Sequence, residues 1–179
     1  MNQPARKRPS NPAGLEPYAK AQPWGMVGDM VIADALDGDE SLWAPVAPGV
    51  WSRPLHLNVS GGYYVHLLRV RRAGILQRHR HSGPVHAWVI RGSWYYLEHD
   101  WIANEGSYVF EPPGETHTLV VPDDCAEMIT LFTVHGSLMY VDPQGASTGY
   151  DDVFTRIERY RAHFEAIGLG ADHVKRFMR

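Results

Sequence analysis

The chain of 179 residues has one cysteine, Cys125. That excludes an internal disulfide framework, and equally a thiolate-rich zinc cluster. No apolar run approaches the roughly 18 residues that a spanning helix requires. The N-terminus also lacks the charged, apolar and small-residue succession of a secretory leader. A cytoplasmic address with no membrane partner is therefore the expectation. Formal net charge is −3, which leaves no global electrostatic case for nucleic acid. The basic runs "ARKRP" and "RVRR" are short, and read as a tail and a strand edge. No internal repeat recurs at a fixed period.

What is present points to strands. Residues 1–22 are rich in proline, asparagine and charge, and read as a flexible arm. From "WGMVGDMVIADAL" onward, short apolar runs alternate with turn signals such as "DGDE", "APVAPGV" and "SGG". "YYVHLLRV", "HAWVI-RGS-WYYLEH" and "SYVFEPPGETHTLVV" read as strands joined at Gly- or Pro-containing turns. Many short strands without a helical period predict an all-β sandwich or barrel over residues 23–145. Residues 146–179 differ: Val153, Ile157, Tyr160 and Phe164 fall at helical spacing before Gly168-Leu169-Gly170, predicting helices packed on the barrel. The apolar segment starting at Trp24 is a candidate for strand pairing between copies, as a homodimer or homotetramer, or for an ordinary edge strand.

Three of the chain's ten histidines, His79, His81 and His86, lie within "RHRHSGPVHAW". Alternation places His79 and His81 on one strand face. By the same rule His86 and Trp88 share a face, as do Trp94, Tyr96 and Glu98, and His117 follows on a later strand. If these faces line one interior, imidazoles and a carboxylate converge in an aromatic cavity. Neutral imidazole suits iron, zinc, copper or nickel. A lone buried histidine is more often a hydrogen-bonded core residue, which is the reading for His56, His66 and His135.

"GSYVFEPPGETH", Gly106 to His117, matches the second cupin motif in its Gly, Pro, Gly and His spacing. Gly74, His79, His81, His86 and Gly92 match the first motif more loosely. His86 stands where that motif usually has glutamate, and Val121 stands where asparagine often follows the second. The chain thus resembles the cupins, and the resemblance implies a double-stranded β-helix, a small β-barrel or jelly roll, with a C-terminal helical segment. It also implies a three-histidine metal site of His79, His81 and His117. His86 is then a ligand, a donor to a ligand, or a proton shuttle. Glu98 is the candidate replacement carboxylate or an acid at the barrel mouth.

From about Trp43 to the C-terminus, "LLRVRRAGILQRHRHSGPVHAWVIRGSWYYLEHDW" and "GYDDVFTRIERYR" are similar to the 2,4′-dihydroxyacetophenone dioxygenases. That resemblance implies Fe(II), or another divalent metal such as zinc. The substrates it implies are a small aromatic hydroxy ketone and O2, with 4-hydroxybenzoate and formate as products. On this reading Glu98 or His86 is the base, and Trp88, Trp94 and Tyr96 wall the substrate pocket, although each aromatic equally reads as barrel core. Two other classes fit the same residues: a metal-dependent isomerase, lyase or decarboxylase, and a zinc-binding sensor module.

Overall fold

The computed structural model describes residue 10 and residues 12–179. The chain divides into two compact units, Met1–Glu40 and Ser41–Arg179. Part of the arm expected over residues 1–22, namely residues 1–9 and 11, lies outside the described residues. Described residues up to 39 form turns and irregular backbone, so the segment from Trp24 holds no strand. The strands run from Ala44 to Asp151, where the sequence reading placed the barrel over 23–145. The apolar residues of "WGMVGDMVIADAL" lack the sustained alternation that makes a half-buried strand.

The second unit contains twelve strands. The first six are β1 (Ala44–Ala47), β2 (Val50–Asn58), β3 (Tyr63–Val70), β4 (Gly74–His81), β5 (Val85–Arg91) and β6 (Ser93–Tyr96). The others are β7 (Ala103–Asn104), β8 (Tyr108–Glu111), β9 (Thr116–Val121), β10 (Met128–His135), β11 (Leu138–Val141) and β12 (Ser147–Asp151). They form two antiparallel sheets, ordered β1-β2-β3-β10-β5-β8 and β12-β11-β4-β9-β6-β7. This is a jelly-roll sandwich, the architecture that the sequence resemblance implies. Period-two burial sorts the side chains: Trp94 and Tyr96 of β6 are buried while Ser93 and Tyr95 are less so. Gly92, between β5 and β6, has φ +71°, and a Cβ there would collide with the Glu127 carbonyl, so only glycine closes this hairpin without strain.

Helix α1 (Val153–Ala166) starts at a reciprocal cap. The Asp152 carboxylate accepts from Thr155 N, and Thr155 Oγ1 accepts from Asp152 N, each at 2.8 Å. Its buried residues are Val153, Arg156, Ile157, Tyr160 and Phe164, the expected apolar stripe with one arginine inside it. A 3-10 segment, Ala171–Phe177, follows, and the last residues return to β2 through Arg179 N–H donating to Leu57 O at 3.1 Å. No helix among the described residues is long and apolar enough to cross a membrane.

Candidate metal centre

His79 and His81 extend from β4, and His117 sits opposite His79 in the register of β4 with β9. Glu111 ends β8 in the facing sheet, opposite Val85. The Pro-Pro-Gly turn between Glu111 and Thr116 is fastened to β4, since Gly114 N–H donates to His81 O at 2.9 Å. That bond ties the loop between Glu111 and His117 to the strand bearing the other two imidazoles.

The four side chains converge. His81 Nε2 lies 3.2 Å from His117 Nε2 and 3.1 Å from Glu111 Oε2, while His117 Nε2 is 3.6 Å from the same oxygen. With His79 they form a set whose potential ligand atoms all lie within 4.8 Å of one another. All four residues are buried, none more than 4% exposed. His81 Nδ1 donates to the Gly83 carbonyl at 3.0 Å, which fixes the tautomer and directs the Nε2 lone pair at the cluster.

Burial, and then the neighbouring imidazoles, push His79 well below its ordinary range and His117 down to about 3. Both are neutral donors at physiological pH. Three buried polar atoms of the cluster have no hydrogen-bond partner: His79 Nδ1, His117 Nδ1 and Glu111 Oε1. Such atoms are costly to bury unless something else satisfies them. Three imidazole nitrogens with one carboxylate are a donor set for a divalent first-row ion, so the residues present fit a metal.

Tyr96 stacks on His117, with ring centroids 3.7 Å apart and planes 7° from parallel. Burial, and then the charge and hydrogen bond of Glu111, raise its phenol well above the usual range, so it stays protonated. Behind His117, Glu115 Oε2 lies 3.9 Å from Nδ1, and Glu115 Oε1 pairs with His99 Nε2 at 3.0 Å.

The centre opens onto a cavity of about 70 Å³. Leu68, Leu76, Val85, Leu119, Phe132 and Val134 give it apolar walls, and His66, Arg72, Gln77 and Arg156 are polar members of the lining.

A family model described as the ChrR cupin-like domain matches residues 33–139, more than half the chain. The chain belongs to this family. Among solved structures, an RmlC-like cupin protein from Ralstonia eutropha is 29% identical with a TM-score of 0.68, covering 77% of this chain and 88% of its own. A protein of unknown function with a cupin-like fold, from the same organism, is 25% identical with a TM-score of 0.64, covering 66% of this chain and 75% of its own. The acetylacetone dioxygenase of Acinetobacter johnsonii shares the fold at 16% identity and a TM-score of 0.67, covering 83% of this chain and 99% of its own. A search of curated proteins found no match.

Against this cupin framework, the other candidate site residues separate. Glu98 is exposed and accepts from Thr118 N at 2.7 Å and from Thr118 Oγ1 at 2.8 Å. Burial alone would raise its carboxyl, but those two bonds outweigh it and hold the group low. Glu98 therefore braces the strand carrying His117, and Glu111 supplies the cluster's carboxylate. His86 faces away from the cluster, its Nδ1 2.7 Å from the Tyr108 hydroxyl. Trp88 shares that outer face and is 54% exposed, so it does not wall the pocket. Trp94 is fully buried but packs behind Tyr96, at 5.1 Å between centroids, and of the three proposed wall aromatics only Tyr96 lines the cavity.

The reason lies in β5, where Val85, Ala87 and Val89 turn inward and the bulkier His86 and Trp88 turn out. Inside, Ala87 is paired in register with Phe132 of β10, which already occupies the cavity wall. Glu111 carries a signal that sequence reasoning missed. β8 alternates as well, and the more buried Val109 and Glu111 share a face opposite the exposed Tyr108 and Phe110.

Proposed function

We propose that this cupin is a mononuclear non-haem Fe(II) dioxygenase that cleaves a carbon–carbon bond of an enolisable ketone. The observation that carries the reading is the buried cluster of His79, His81, His117 and Glu111 opening onto a largely apolar cavity. The Acinetobacter neighbour is a dioxygenase of a ketone, acetylacetone, and the sequence resemblance to the dihydroxyacetophenone dioxygenases likewise points to O2 chemistry on a ketone.

His79, His81, His117 and Glu111 would hold the ion, and iron there would supply Lewis acidity toward the ketone oxygen and a path for electrons to O2. The chain's own groups do the rest. The partnerless Oε1 of Glu111 is the acceptor for the acidic α-proton of the ketone. Tyr96 keeps its proton and donates to Glu111, orienting that carboxylate. Leu119, Phe132 and Val134 keep water from the reacting carbons.

Substrate size follows from the cavity. An apolar cavity of about 150 Å³ takes benzene, so about 70 Å³ ranks a compact aliphatic ketone first. An aryl ketone such as 2,4′-dihydroxyacetophenone requires the rim at Val46, Ala47 and Arg72 to open.

The test is oxygen uptake by the full chain, stripped of metal and reconstituted anaerobically with Fe(II). Acetylacetone and 2,4′-dihydroxyacetophenone are the two substrates offered. Iron-dependent consumption of one O2 per ketone supports the reading, with formate and 4-hydroxybenzoate as products of the aryl substrate. Stoichiometric iron without uptake on either ketone overturns it. Zinc held tightly under the same conditions would favour an isomerase, a lyase or a sensing module.

A further inference from the structure

The cavity has a second polar wall. Arg156 of α1 lines it while only 3% exposed. Its guanidinium lies over the Tyr64 ring at 5.1 Å, with Nη2 3.0 Å from Asp151 Oδ2 and Nη1 3.5 Å from Ser52 Oγ, and its Nε has no hydrogen-bond partner. A buried cation with an unused donor needs a strong counter-ion.

Asp151 is a shared one. Arg159 also bonds it, Nη2 to Oδ1 at 3.0 Å and Nη1 to Oδ2 at 3.2 Å, and Tyr140 donates to Oδ2 at 2.6 Å. Two guanidiniums thus rest on one carboxylate, leaving about one positive charge over. Arg159 reaches water, with 31% of its side chain exposed, whereas Arg156 does not. The uncompensated charge therefore bears on the cavity, whose one lining carboxylate, Glu111, belongs to the histidine cluster. Its neighbour His66, hydrogen-bonded through Nδ1 to Ser52 Oγ at 2.9 Å, is kept neutral by burial and by Arg156, and adds no competing charge. Arg72 adds a second guanidinium to the lining, its Nη1 donating to the Ile75 carbonyl at 3.1 Å.

We propose that Arg156 is the substrate-recognition residue of this cavity, and that the ketone it admits carries a carboxylate: a compact keto acid. The proposal rests on the cavity being the substrate site, as the dioxygenase reading has it, and adds the substrate's charge. The carboxylate takes the unused Nε–H of Arg156 in a charge-assisted bond and completes the neutralisation that Asp151 leaves half done.

The experiment is calorimetric binding of propionate and of its neutral isostere propionamide to the full chain, as purified and after chelator stripping. No turnover is involved, so failure of the oxygenase reading leaves this readout intact. Stripped wild type is expected to prefer propionate by at least tenfold. Arg156→Gln should reduce the preference to about twofold or less. Arg159→Gln should also lower it several-fold, because Asp151 then neutralises Arg156 alone. Arg159 is outside the cavity lining and partly exposed, so this variant keeps the test alive if Arg156→Gln fails to fold. Arg161→Gln, whose partner is Glu158 on the exposed face, should bind as wild type. No anion preference in wild type overturns the proposal. So does a preference that disappears on stripping, which would place the carboxylate on the metal, or one that survives Arg159→Gln unchanged.

Discussion

Glu111→Gln is the sharpest perturbation of the centre, because it is expected to move metal affinity and metal-free stability in opposite directions. The carboxylate is the one anion of the four-residue cluster, its Oε2 lying 3.1 and 3.6 Å from two imidazole nitrogens. A unit-charge pair at about 4 Å and an effective dielectric of about 20 is worth about 4 kcal/mol. A divalent ion doubles that, and desolvation of both partners returns well over half. The net loss is about 3 kcal/mol, or about 100-fold in affinity.

Without metal the balance reverses. The carboxylate is 3% exposed and Oε1 has no partner, so the metal-free fold carries a poorly compensated buried charge. The neutral amide keeps the shape and an acceptor for Tyr96 while removing that charge. A gain of about 1–2 kcal/mol corresponds to a rise of about 2–8 °C in Tm for a domain of this size. The assay is calorimetric unfolding of the chelator-stripped chain, paired with zinc and Fe(II) titrations of the same preparations. Wild-type metal affinity in Glu111→Gln would remove Glu111 from the ligand set. A lowered metal-free Tm would show that the carboxylate is stabilising by itself and refute the electrostatic argument.

Glu98→Ala should cost about 1–3 kcal/mol of stability by releasing both bonds to Thr118, yet leave metal stoichiometry at wild type. Loss of bound metal equal to that of His117→Ala would restore Glu98 to the centre. Trp88→Ala, at a position 54% exposed, should leave turnover and Tm nearly unchanged. Trp94→Ala, at a fully buried position, should cost about 3–5 kcal/mol. Equal effects in denaturant unfolding would contradict the assignment of their faces. Acid should act in two stages. His66 is held well below 6.5 by burial and then Arg156, so the unfolded chain binds a proton that the native chain refuses. Stability is then full above about pH 6.5 and falls below it by about 1.4 kcal/mol per pH unit for that one proton. Burial would raise Asp151, but Arg156, Tyr140 and Arg159 outweigh it and hold it below 3.8, so a second loss begins as pH falls through that value. A flat stability profile between pH 7 and 5 would refute the first stage.

How much of this was legible in the sequence depended on whether a residue's face was determined by its own strand or by a neighbour. Alternation put His79 and His81 on one face, and the cupin motif resemblance added His117, which the structure pairs opposite His79. The helix was equally plain, since Val153, Ile157, Tyr160 and Phe164 repeat at helical intervals behind a capping aspartate. β5 was different: "VHAWVIR" offers two apolar faces, Val85-Ala87-Val89 and His86-Trp88-Ile90, and alternation cannot choose between them. The choice is made by volume on the sheet's inner face, where Phe132 of the neighbouring strand β10 already fills the space next to Ala87, and no window on β5 contains that pairing. Taking the other face as inward misplaced His86 and Trp88 together. Glu111 lies six residues before His117 in a strand whose outer face is marked by Tyr108 and Phe110, so its direction was readable once those two aromatics were assigned to solvent. Arg156 was hidden for the opposite reason. An arginine between apolar helical positions reads as the edge of a stripe, and only Asp151, Ser52 and Tyr64, brought to it from β12, β2 and β3, make its burial tolerable. The fold was therefore written in periodicity, the three clustered histidines in alternation and motif, and the charge of the cavity in pairings that no local window contains.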